Sequence, residues 1–129
     1  MHASLISFRT TDGLALPGLL YEPRRGSTEV ALFLHGNGDA SVFYSARRTN
    51  AFAEEMTRRG IAFFAFNNRG AHLIKRLGRK RAGRGESLLL GMTYEKIRDC
   101  VHDIDGAIGF LRGEGYRRFH LIGHSTGAN

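Results

Sequence analysis

Residues 119 to 127 read Phe119-His120-Leu121-Ile122-Gly123-His124-Ser125-Thr126-Gly127. A short apolar run, Phe119 to Ile122, is followed at once by the pattern G-x-S-x-G. A strand that breaks into a sharp turn around a serine is the setting in which the serine hydroxyl becomes a nucleophile. Such a turn holds Ser125 in a strained backbone conformation and projects its hydroxyl into open space. Gly123 and Gly127, two residues to either side, crowd the turn and carry no Cβ to clash. The competing reading is an ordinary Gly/Ser loop. The strand in front of the motif favours the elbow.

Working back towards the N-terminus, Val30 to Leu34 and Ile61 to Phe66 are continuous apolar runs, as expected of strands covered on both faces. Leu5 to Arg9 and Leu14 to Tyr21 read as a hairpin around Thr11-Asp12-Gly13, with Pro17 marking an edge or a bulge. Ala46 to Arg59 is expected to be helical, with Phe52 and Met56 on one face and Gly60 as its stop. Thr93 is placed to cap a second helix running to about Arg112, with Ile97, Val101, Ile104, Ile108 and Leu111 on one stripe. Asn67 to Gly91 reads as a long, basic, Gly-rich loop with an apolar island at Leu88 to Leu90. Strand, helix, strand, helix, strand predicts an α/β fold with a mainly parallel sheet and an N-terminal hairpin. In such sheets the site forms at the C-terminal strand ends, where His35-Gly36-Asn37 and Gly123 to Gly127 both fall.

At 129 residues with 42% hydrophobic content, the chain is expected to form one packed domain. The single cysteine, Cys100, excludes an internal disulfide. Met1 to Arg9 lack the basic start and long apolar stretch of a secretory signal, so the expected compartment is the cytoplasm. No apolar run has the length of a membrane span. The formal charge of +7 is concentrated: Arg69 to Arg84 hold seven basic residues and no acid, leaving twelve basic and twelve acidic residues elsewhere. The basic segment has three readings: a solvated loop, a feature at the mouth of a site that draws in anionic substrates, or a contact with nucleic acid or an anionic membrane. No aromatic residue interleaves with these cations, so nucleic acid is not an expected partner.

A serine hydrolase needs a nucleophile, a base, a group that orients the base, and donors for the oxyanion. Leu34-His35-Gly36-Asn37-Gly38, Asn68-Arg69-Gly70 and Gly123-His124-Ser125-Thr126-Gly127, in this order and spacing, resemble the N-terminal half of the α/β-hydrolase superfamily of serine esterases, lipases and lysophospholipase-like enzymes. The resemblance implies that Ser125 is the nucleophile and that the backbone amides of Asn37 and Thr126 form the oxyanion hole. It implies that His35 supports the oxyanion turn, with Gly36, Gly123, His124 and Gly127 shaping the two turns. In that family the acid and the histidine base follow the serine. Only Thr126 to Asn129 follow it here, so residues 1–129 are expected to be a single partial domain, inactive by themselves. The substrate implied is a small molecule with an ester, thioester or similar acyl bond, and no cofactor is expected. The unpaired edge of the last strand is expected to promote self-association.

Among the upstream histidines, His72 lies in the loop after the fourth strand, on the correct sheet edge; it is the candidate substitute base, against the reading as a solvated loop residue, which is the expected one. Asp99, His102 and Asp103 share a helical spacing that metal sites use, but lie off the apolar stripe. A solvated surface is expected there and no metal. Cys100 is expected in the core. The alternative function is a non-catalytic binding module of the same fold that uses the basic loop 69–84 to hold an anionic partner.

Overall fold

The computed structural model describes residues 1–43 and 46–129, with only the backbone described at position 46. Its central sheet has five strands, β1 (His2–Arg9), β2 (Ala15–Glu22), β3 (Glu29–Leu34), β4 (Ala62–Phe66) and β7 (Arg118–Gly123), in the order β1-β2-β4-β3-β7. A separate two-stranded unit, β5 (Lys75–Arg81) and β6 (Arg84–Leu90), follows β4. The helices are α1 (Ala46–Arg58) and α2 (Val101–Gly113), with single 3-10 turns at Ile97–Cys100 and Ser125–Ala128.

The strands β4, β3 and β7 are parallel, with Leu32 opposite both Phe64 and Leu121. The β1–β2 hairpin joins them antiparallel through β2 and β4. The continuous apolar runs follow from burial on both faces. On one face Phe8, Leu16, Leu20, Val30, Leu32, Phe64 and Phe66 pack with Ala107 and Leu111 of α2. On the other Tyr21, Ala31, Phe33 and Phe63 pack with Ala53 of α1. Phe63, Phe64 and Phe66 are each essentially inaccessible to solvent. Each such ring contributes about 1.5–3 kcal/mol of burial free energy.

Four local expectations are corrected. First, β2 is an interior strand, so Pro17 marks neither an edge nor a sheet defect. The ladder with β4 ends at Gly18 and Phe66, and beyond it the Asn67 amide donates to the Pro17 carbonyl at 3.0 Å. The missing Pro17 N–H therefore falls where the ladder has already stopped.

Second, the basic segment is a β-hairpin. Ala82 and Gly83 connect β5 and β6 with φ of 49° and 76°, the two positive values of a tight hairpin turn. Leu77, Leu88 and Leu90 turn inward against the core, so two residues of the apolar island lie on the hairpin's inner face and Leu89 on the outer one. The hairpin is tied to the first turn by the Lys80 N–H donating to the Gly13 carbonyl at 3.0 Å.

Third, α2 starts at Val101, because residues 91–93 form a turn bonded to the segment before β5. The Thr93 amide and hydroxyl both donate to the Leu73 carbonyl, at 3.2 and 3.0 Å, which removes Thr93 from a capping role.

Fourth, the buried face of α2 is Asp103, Gly106, Ala107 and Leu111. Gly106 lets the helix press onto the end of β1, where a Cβ would stand 2.6 Å from the Thr10 Cα. Only the start of the apolar stripe faces outward, with Ile97 63% and Val101 51% exposed, while Leu111 is buried and Ile108 packs against the core.

Candidate functional site

The parallel ladder sets the site. Leu34 and Gly123 are opposite each other at the ends of β3 and β7, and the His124 N–H donates to the Leu34 carbonyl at 3.0 Å. Beyond that bond both chains turn. Ser125 is exposed and has φ +55°, in the left-handed region that a serine adopts only under constraint. The constraint is visible at the flanking glycines. A Cβ on Gly127 would collide with the Leu34 carbonyl oxygen, and one on Gly123 with the Gly127 carbonyl oxygen. The two turns touch: a Cβ on Gly36 would lie 3.2 Å from both the Ser125 Cβ and the His124 Nδ1. Asn37 and Thr126 line one cleft of about 650 Å³, together with Gly36, Gly123 and Gly127. Its far wall is the start of the stripe, Ile97, Val101 and Ile104, with Leu121 of β7.

His35 braces the Gly36 turn. It is buried, and its Nε2 accepts the Asn68 N–H at 3.1 Å. That leaves the proton on Nδ1, which donates to the Gly36 carbonyl at 2.9 Å. Burial pushes its pKa below the ordinary histidine range, so the ring is neutral and fully engaged. His35 thus links the turns after β3 and β4 and is not available as a base. His102 bonds the Thr11 hydroxyl at 2.7 Å, His120 lies 3.1 Å from Glu29, and His2 bonds Ser4, all away from Ser125. His72 has φ +66°, with its amide donating to Asp39 and its carbonyl accepting from Met92.

The residues after β4 form a polar frame beneath these turns. Asn67 Oδ1 accepts the amides of Ser41 and Val42 at 2.6 and 2.9 Å. Arg69, read in the sequence as the first residue of the basic loop, is buried instead. Its guanidinium donates to Asp103 at 2.9 and 2.7 Å and to Asp12 at 2.9 and 3.2 Å, and its amide donates to Asp103 Oδ2 at 2.8 Å. Asp103 is therefore an interior ion-pair partner, which corrects its placement on a solvated surface. Burial raises the Asp103 pKa against the pull of the Arg69 bonds. Asp12 is also desolvated, but the hydrogen bonds from Arg69 and Thr10 outweigh this and hold its carboxyl below the usual range. The sequence pattern missed this triad. The small pair Gly106-Ala107 beside Asp103 was the available signal that the close-packed face of α2 was not its apolar stripe alone. Among the described residues, no group of three or more His, Cys, Asp or Glu side chains is arranged to hold a metal ion.

Two further groups border this frame. Burial pushes the Lys75 pKa down to about 8, partly opposed by Asp103 and Glu95, and its Nζ donates to the Asn68 carbonyl at 2.7 Å. Cys100 is half-buried rather than fully in the core, and burial with nearby Asp103 and Glu95 pushes its thiol up to about 12. These shifts carry a sign. Between pH 8 and the ordinary lysine value of 10.5 the unfolded chain holds more protons at position 75, so stability rises with pH there. Above the ordinary thiol value of 9.0 the unfolded chain loses the Cys100 proton first, so that group lowers stability as pH rises. Urea unfolding is expected to show stability rising from about pH 8 to 9 and then flattening. Lys75→Gln removes the rise and Cys100→Ala removes the flattening. A profile unchanged in Lys75→Gln contradicts the assignment.

No protein-family model matches the chain, and no curated protein matches it. Solved structures do. The Pyrococcus furiosus esterase Pf2001 superposes with a TM-score of 0.71 at 19% identity, over 98% of this chain and 44% of its own. The α/β hydrolase GrgF from Penicillium sp. sh18 gives a TM-score of 0.71 at 17% identity, over 98% of this chain and 39% of its own. The esterase domain of a Rhodothermus marinus protein gives 0.64 at 19%, over 98% and 42%. The chain thus has the N-terminal part of the α/β-hydrolase fold and spans about two fifths of the length of these structures.

Proposed function

We propose that this chain carries the nucleophile and oxyanion half of a serine hydrolase site acting on an ester, thioester or similar acyl bond of a small molecule. The observation that carries the reading is the φ of +55° at Ser125, on a turn pressed against Gly36. In this reading the Ser125 Oγ adds to the acyl carbon, its proton passes to a base, and the amides of Asn37 and Thr126 receive the charge on the carbonyl oxygen. His35, Gly36, Gly123, His124 and Gly127 hold the two turns in place. The acid and the histidine base come from the part of the fold that these residues do not span. The protein works in the reducing cytoplasm, where the lone thiol Cys100 stays unpaired.

A fluorophosphonate probe tests the nucleophile. An oxyanion hole with substrate binding retains on the order of 10³–10⁴-fold acceleration over water even when a triad member is absent. Slow labelling confined to Ser125 and lost in Ser125→Ala is therefore expected by peptide mapping. Label scattered over other hydroxyls, or retained in Ser125→Ala, overturns the reading.

The second reading, a non-catalytic binding module, draws on the cations of the β5–β6 hairpin without Arg69. It would leave Ser125 no more reactive than any exposed serine. Under either reading β7 pairs on one side only among the described residues, with Leu121 58% exposed. The isolated chain is expected to associate through this edge. Light scattering that stays monomeric across a hundredfold concentration range contradicts that.

A further inference from the structure

The β5–β6 hairpin has two unlike faces. Strand alternation puts Lys75, Leu77 and Arg79 towards the body, where Arg79 is paired with Glu86. The opposite face pairs Arg76 with Leu89 and Lys80 with Gly85. Beyond the ladder, Met92 N–H donates to the His72 carbonyl and Thr93 N–H to the Leu73 carbonyl, which ties the segments flanking the hairpin to each other. Large apolar side chains stand open on and beside it: Leu89, opposite Arg76, is 39% exposed, and Leu73 and Ile74, just before β5, are 60% and 52% exposed. Four cations accompany them: Arg76 and Lys80 on the face, Arg81 and Arg84 at the tip. All four are exposed, and none makes a salt bridge among the described residues.

We propose that this hairpin surface docks on an anionic lipid membrane. Cations alone would suit any polyanion. Leucine and isoleucine beside them call for a partner that is negative at its surface and apolar immediately below. A lipid leaflet supplies both, through headgroup attraction and shallow insertion of the apolar side chains. A nucleic acid supplies the charge but would leave these side chains in water, and the hairpin carries no aromatic ring on which bases could stack. The turn Ala82-Gly83 is short and holds no acid. Met92 also packs over Gly38, so a docked hairpin brings the turn after β3 close to the membrane. The proposal does not depend on Ser125 being a nucleophile.

Vesicle co-sedimentation of the 129-residue chain, with a vesicle-free control for self-association, tests it. At 0.1 M salt, binding to vesicles of phosphatidylcholine with 30% phosphatidylglycerol is expected to exceed binding to pure phosphatidylcholine by at least about tenfold. Each surface cation strengthens adsorption by about fivefold, so Arg76→Gln with Lys80→Gln should weaken it by about 25-fold. Ile74→Ser with Leu89→Ser should weaken vesicle binding by at least about tenfold and leave binding to duplex DNA unchanged. These side chains are exposed, so both pairs should keep the wild-type circular dichroism. Equal binding to the two vesicle types overturns the proposal. So does Ile74→Ser with Leu89→Ser binding as wild type, which would mark the hairpin as a general polyanion contact.

Discussion

Ester turnover by the purified 129-residue chain is expected to lie on the order of 10⁴-fold or more below that of a complete esterase of this fold. The histidines of the chain decide the rate. His35 is neutral, buried and bonded at both ring nitrogens. His2, His102 and His120 bond Ser4, Thr11 and Glu29. A serine without a positioned base keeps its proton and attacks slowly, however well the oxyanion is received. A chromogenic short-chain ester with purified protein gives the rate. Turnover within about tenfold of a complete esterase, abolished by Ser125→Ala, would show that a histidine of this chain serves as the base. His72, at the correct sheet edge, is the residue to replace next.

The parts of the fold that were legible in the sequence are those coded by local pattern. Val30 to Leu34 and Ala62 to Phe66 are apolar without alternation because both faces are covered, and the run of residue types says so directly. The elbow was legible because glycine at 123 and 127 answers a backbone need within five residues. The hairpin was not legible. Lys75 to Arg81 holds five cations, one leucine and one glycine, with no β-branched or aromatic residue. Its strand state comes from pairing with β6 and from three leucines reaching the core, which no propensity expresses. Asp103 was hidden for a related reason. An apolar stripe on α2 outweighs one acid in any helical count, and the acid's partner Arg69 lies 34 residues away. Where Ile97 and Val101 stand exposed beside Leu121, the stripe lines an open cleft, and further along Ile108 and Leu111 meet the core, so the periodicity marks a face that is buried over its second half.

Replacing Arg69 is expected to be the most destabilising single change outside the apolar core. Arg69→Met would leave the Asp103 carboxylate buried without its countercharge and remove the partner of Asp12. Breaking a buried pair in this way costs about 3–5 kcal/mol, more than the pair itself contributes, because the orphaned charge stays desolvated. With a urea dependence of about 2 kcal/mol per molar, the midpoint should fall by about 2 M. The double variant Arg69→Met with Asp103→Leu should recover part of this loss, since both charges are then absent. It should not recover all of it, because Asp103 also accepts the Arg69 backbone amide at 2.8 Å. That amide bond ties the turn after β4 to α2. The next link is the Asn68 amide on His35, and the last is His35 on the Gly36 carbonyl. Loosening Arg69 should therefore also slow fluorophosphonate labelling of Ser125, at urea concentrations where the variant is still folded. Unchanged labelling in a destabilised variant would show that the frame after β4 supports the fold and not the site.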